Sequence, residues 1–129
     1  MSRQTDALAG LGRIARLKAD LEMRRFAAFR AHVDAARQRI GQLEDELQAL
    51  YRAEEAFSVS EARLVNALAR DRSLALLGAE RDLERMLPGY EQARQAAARE
   101  FGRAEAVSAV RDDMIAQARL DRARRAGGT

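Results

Sequence analysis

From Phe26 to Phe57 apolar residues recur at alternating steps of three and four: Phe26, Phe29, Val33, Ala36, Ile40, Leu43, Leu47 and Leu50, with Glu54 as an exception before Phe57. A repeat averaging about 3.5 residues keeps one narrow stripe facing a partner helix along a left-handed supercoil. Most positions between are Arg, Glu, Asp, Gln or Ala, residues that suit a solvated helix face. The pattern predicts one long helix over about residues 5–56, with an N-terminus near Thr5 or Asp6. Ile14, Leu17 and Leu21 extend the stripe towards the N-terminus, and the step from Leu21 to Phe26 breaks the rhythm, so a register shift is expected there.

Phe57-Ser58-Val59-Ser60-Glu61 predicts the turn, at about residues 57–60. Ser58 with Glu61 three residues on reads as a capping box, and Phe57 can act as a hydrophobic staple. A second helix is expected over about residues 60–125, on the stripe Val65, Leu68, Arg72, Ala75 or Leu76, Ala79, Leu83, Met86, Tyr90, Ala93, Ala97, Phe101 and Ala104. Its many alanines allow the two helix axes to come close. Pro88-Gly89 predicts a kink or break, because proline removes a backbone bond and clashes with the preceding turn. The fold class that follows is all-α: a long antiparallel two-helix coiled-coil hairpin forming a single domain over 1–129, interrupted near residue 88.

Composition sharpens this picture in one respect. Aromatics make up only 5% of the 129 residues and Ala dominates the apolar share, so a thin seam is expected and not a thick core. The formal net charge is +3, and the pI of about 10.1 is high because Lys18 is the only lysine among the basic residues. Acidic and basic residues interleave, as in Arg37-Gln-Arg39 and Glu44-Asp45-Glu46, which marks a solvated surface and puts nucleic acid behind other partners. With no Cys, no long apolar run and no secretory leader pattern, the chain reads as a soluble cytoplasmic protein, a peripheral position at the inner face of the cell membrane staying open.

Candidate chemistry is sparse. His32 stands beside the stripe without companions and cannot by itself build a zinc site of three or four ligands. The pairs Glu54-Glu55 and Asp112-Asp113 are adjacent, so on a helix each pair diverges by about 100° and cannot act on one substrate. No Gly-Lys-Ser/Thr phosphate loop occurs. No catalytic, cofactor or metal residues are assigned, and enzyme activity is not expected. Two features point to partners instead. Leu64, Leu68, Leu74, Leu76, Leu77 and Leu87 are too many for one narrow stripe, so some either cover a third helical segment or form a docking patch, for which Leu64, Leu68 and Leu76 are the candidates. Arg119, Arg122, Arg124 and Arg125 make the second, a basic end that either stabilises the helix terminus or contacts an acidic partner.

The segments Leu11-Gly-Arg-Ile14-Ala-Arg-Leu17-Lys-Ala-Asp-Leu21-Glu and Ile40-Gly-Gln-Leu43-Glu-Asp-Glu-Leu47-Gln-Ala-Leu50-Tyr51-Arg, with the Arg-rich Val110–Arg122 stretch, resemble the FliJ family of bacterial flagellar type III export. The resemblance covers most of the chain and is mainly one of helix pattern and length. It implies a small antiparallel coiled coil, similar in form to the central stalk of rotary ATPases. By the same resemblance the partners would be the ring of the export ATPase, the export gate and substrate chaperones. A virulence-type secretion stalk fits the same layout. Two other classes stay open: a basic helical nucleic-acid-associated protein, and a structural dimeric coiled coil.

Overall fold

The computed structural model describes residues 2–52 and 58–128. Two helices account for nearly all of them: α1, Arg3–Arg52, and α2, Val59–Gly127, with no strand among the described residues. They pack against each other as an all-α two-helix hairpin. Glu54, Phe57 and the proposed staple lie outside the described residues.

Both helix starts are capped by serine. The amide of Glu61 donates to Ser58 Oγ at 3.1 Å, which is the capping bond expected from Ser58 and Glu61. At the other start, Ser2 Oγ accepts from the Thr5 amide at 3.1 Å, and Thr5 Oγ1 accepts from the Ser2 amide at 3.2 Å. Thr5 here fills the place usually held by Glu or Gln. The helix therefore begins at Arg3, two or three residues before the expected position.

Packing divides the chain into two units. A central unit comprises Ala27–Glu91, and a terminal unit comprises Met1–Phe26 with Gln92–Thr129. In a helical hairpin each side chain touches only its neighbours along and across the pair, so contacts stay local even within what sequence reads as a single domain.

In the central unit the expected stripe of α1 is the buried one. Val33 and Leu43 are fully buried, and Phe29, Ala36, Ile40, Leu47 and Leu50 are half-buried. Arg72 Nε reaches Glu46 Oε2 at 2.8 Å across the pair. Seventeen residues earlier on α1, the Phe29 ring lies against Gly89, seventeen residues later on α2. Equal steps in opposite directions define an antiparallel register. The Arg72–Glu46 pair leaves both side chains about 40% exposed (38% and 43%), so it specifies register more than stability, at about 0–1 kcal/mol. Leu50 and Leu68 line one shallow cleft with Glu46 and Arg72. Cysteines at Leu50 and Leu68 should consequently crosslink within one chain under mild oxidation. A product formed only between chains, seen on a non-reducing gel, would contradict this register.

Pro88 does not break the second helix, which runs unbroken through it. Proline removes the bond to the carbonyl of Glu84, and both residues lie on the exposed side, where water can take up the freed carbonyl. The opposite side holds the helix in place, with Met86, Leu87, Gly89 and Tyr90 half-buried. Gly89 has a packing role there: a Cβ would stand 2.9 Å from Phe29 Cε1, closer than carbon atoms tolerate.

The terminal unit corrects the sequence expectation. Ile14, Leu17 and Leu21 do not continue the seam and are each more than half exposed (53%, 63% and 63%), as is Leu11 (54%). The inward positions are Thr5, Leu8, Gly12, Ala15, Ala19 and Glu22, leading without a shift into Phe26. No register break occurs in α1. A continuous helix carries its phase with it, so the residues in step with Phe26 turn inward whatever their size. What lets such small residues serve is an equally small facing surface. Ala93 and Ala97 are buried, Ala104 is half-buried, and Val107 stands 3.8 Å from where a Cβ on Gly12 would lie.

On α2 the expected stripe holds with two exceptions. Phe101 is 56% exposed, and Glu100 occupies the half-buried place, bonded to Arg103 at 2.6 Å. Leu68 is 38% exposed at the edge, where the half-buried residue is Ala69.

Candidate functional site

The phase of α1 creates a surface that sequence reading assigns to the interior. At 100° per residue, Leu11, Ile14, Leu17 and Leu21 fall within an arc of about 120° on one face. All four are exposed, and the exposed Arg3, Lys18, Arg24 and Arg25 surround them. Large apolar residues scattered singly need no explanation, but four on one helix face form a patch of the kind that marks interaction surfaces. The missed signal was present in the sequence. Residues 12, 15, 19, 22 and 26 make the same three-four spacing as 26 to 50, and weighting by side-chain size concealed it.

The leucine-rich part of α2 divides between seam and surface. Leu64 is 61% exposed and Leu68 lies at the edge, so both are accessible to a partner. Leu76 is half-buried at a seam spacing and is less open than Leu64 and Leu68. Leu74 and Leu77 are also exposed, and no third helix covers them among the described residues. Of the two roles open to the surplus leucines, covering a third segment is therefore not the one observed.

The basic end is similarly divided. Arg122 and Arg125 line a cleft of about 440 Å³ with Ser2, Thr5 and Met114, while Arg119 and Arg124 are exposed outside it. Asp121 lies in the same lining and accepts from Gln117 Nε2 at 3.3 Å, so this cleft contains both signs of charge. The Gly128 amide donates to the Arg124 carbonyl at 2.9 Å and closes the last turn. Arginines in this turn also suit the negative end of the helix dipole.

Groups that could carry chemistry lie apart. His32, Asp112 and Asp113 are exposed, and Glu54-Glu55 falls outside the described residues. Among the described residues no group of three or more His, Cys, Asp or Glu could hold a metal ion. No described helix is long and apolar enough to cross a membrane. The described surface presents exposed large apolar side chains and exposed arginines on two long helices. Comparison with protein-family models, curated proteins and solved structures finds no match.

Proposed function

We propose that this chain is a non-enzymatic stalk and adaptor of bacterial flagellar protein export, working with the export ATPase ring and gate in the manner the FliJ resemblance implies. The observation that carries this reading is the pairing of an antiparallel helical hairpin with large apolar side chains left open on its surface. In this reading the hairpin serves as a rod that transmits force or position. Its open leucines, Leu64 and Leu68 on one unit and the Leu11–Leu21 face on the other, offer separate contact areas for different partners. In this reading the arginines at the α2 terminus meet an acidic surface within the ring, and the leucines of the central unit meet the gate or a substrate chaperone. The place of action is the cytoplasm, next to the inner face of the membrane.

The test is stimulation of a purified flagellar export ATPase by the full chain, compared with the quadruple Gln variant of Arg119, Arg122, Arg124 and Arg125. Stimulation should fall several-fold while helicity stays the same, because exposed dipole contacts are worth only about 0.3–1 kcal/mol each. Absence of stimulation by the unaltered chain would remove the proposal. Unchanged stimulation by the variant, with loss of heparin retention, would favour the nucleic-acid reading.

A further inference from the structure

The terminal unit contains a second cationic feature, separate from the arginines at the end of α2. Arg13 and Arg16 of α1 and Arg111 of α2 line one cleft of about 120 Å³, together with Gly12, Val107 and Ser108. No acidic residue lines it. Some arginines elsewhere pair with carboxylates: Arg30 with Asp34, Arg72 with Glu46, Arg85 with Asp82, and Arg103 with Glu100. Arg13, Arg16 and Arg111 make no such pair among the described residues. Three like charges around one small space repel each other, and that repulsion is relieved by an anion between them.

The cleft exists because of a glycine. At Gly12 the seam has no side chain, and the nearest atom across the pair, Val107 Cγ1, is 3.8 Å from where a Cβ would stand. Arg13 in turn lies back over Gly10, its Nη2 3.8 Å from the Cβ that residue lacks. Gly12 thus leaves space beside the guanidiniums that any other residue would partly fill. Ser108 adds a hydroxyl that can donate.

We infer that this cleft is a binding site for a phosphoryl group, held by the guanidiniums of Arg13, Arg16 and Arg111 with Ser108 as an additional donor. The number and placement of donors select this chemistry. A carboxylate carries one charge and two coplanar oxygens, which a single arginine fork satisfies. A phosphoryl group carries about −1.5 to −2 charge and three strongly accepting oxygens pointing in different directions, which suits cations arriving from two helices. The group can belong to free phosphate or to a lipid headgroup, since both present the same oxygens. Because Arg111 comes from α2 and the other two from α1, the bound anion ties the helices together within this unit. The site is independent of the export reading and stands or falls separately from it.

The experiment is calorimetric titration of the full chain with inorganic phosphate at constant ionic strength, combined with NMR of the arginine Nε–Hε signals. Saturable binding of one phosphate per chain is expected, with the Arg13, Arg16 and Arg111 signals shifting. Arg16→Gln and Arg111→Gln should each weaken binding about tenfold, as expected for loss of one charge-assisted contact. Arg37→Gln removes an exposed arginine of the central unit and should leave affinity unchanged. Gly12→Ala places a methyl group in ordinary contact with Val107, so the fold should persist while phosphate affinity falls. Vesicles containing phosphatidic acid distinguish the sources: capture by them that Arg16→Gln abolishes identifies a lipid headgroup, and phosphate binding without capture identifies a soluble phosphate. Non-saturable heats, equal weakening by Arg37→Gln, or acetate binding as tightly as phosphate would each overturn the assignment.

Discussion

Leu43→Asp should abolish cooperative folding of the hairpin near room temperature, whereas Leu17→Asp should leave the melting temperature almost unchanged. Leu43 is 1% exposed at the centre of the seam, and Leu17 is 63% exposed on the outer face of the same helix. Truncating a buried leucine costs about 2–5 kcal/mol even with an apolar replacement. An aspartate must in addition lose its hydration or be protonated, which raises the cost further. Against a typical total stability of about 5–15 kcal/mol, that removes most of the reserve of a fold built on so thin a seam. At Leu17 the side chain has little burial to lose, and an exposed substitution stays within about 0.5 kcal/mol. Thermal melts followed by helical circular dichroism compare the two variants directly. If Leu17→Asp unfolded the protein as Leu43→Asp does, the leucine face of α1 would be part of the seam after all.

Ala97→Leu should destabilise the protein by about 1–3 kcal/mol, the cost of forcing extra carbon atoms into a packed interior. That is contrary to the usual gain from leucine in a coiled-coil seam. Ala97 is 2% exposed and Ala93 is 4% exposed, and the facing segment of α1 turns Ala15, Ala19 and Glu22 inward. Small residues on both sides imply closely spaced axes, leaving no hole for a larger knob. Ala98→Leu, one residue along on the exposed face, should stay within about 0.5 kcal/mol. Denaturant titrations with an unchanged slope would assign the Ala97→Leu loss to the native state. A gain in stability at Ala97 would show that the alanine seam is loosely packed.

The architecture was legible because its cause is local. Heptad spacing between Phe26 and Leu50, the Ser58 cap and the scarcity of β-branched alternation specify two long helices before any packing is known. Ser58 and Glu61 marked the start of α2 because a capping bond needs only residues three apart. The break expected at Pro88 was absent because the outcome depends on which side of the helix proline occupies and what holds the other side, and neither is a local property.

Which face of α1 turns inward near the N-terminus was likewise decided by tertiary structure. Hydrophobicity favoured Ile14, Leu17 and Leu21, while the phase inherited from the central stripe selected Gly12, Ala15, Ala19 and Glu22. Phase prevailed because rotating the start of one continuous helix would require distorting its backbone, and the alanines of α2 reward a close approach of small residues. The exposed leucine face follows from that outcome. So does the three-arginine cleft, since Arg13 and Arg16 are ordinary surface residues until the packing of α2 brings Arg111 beside them. By itself the sequence determined helix, cap and antiparallel partner, which rest on spacing along one chain. Only the tertiary structure decided burial and the convergence of charges, because both depend on residues nearly a hundred positions apart meeting across the seam.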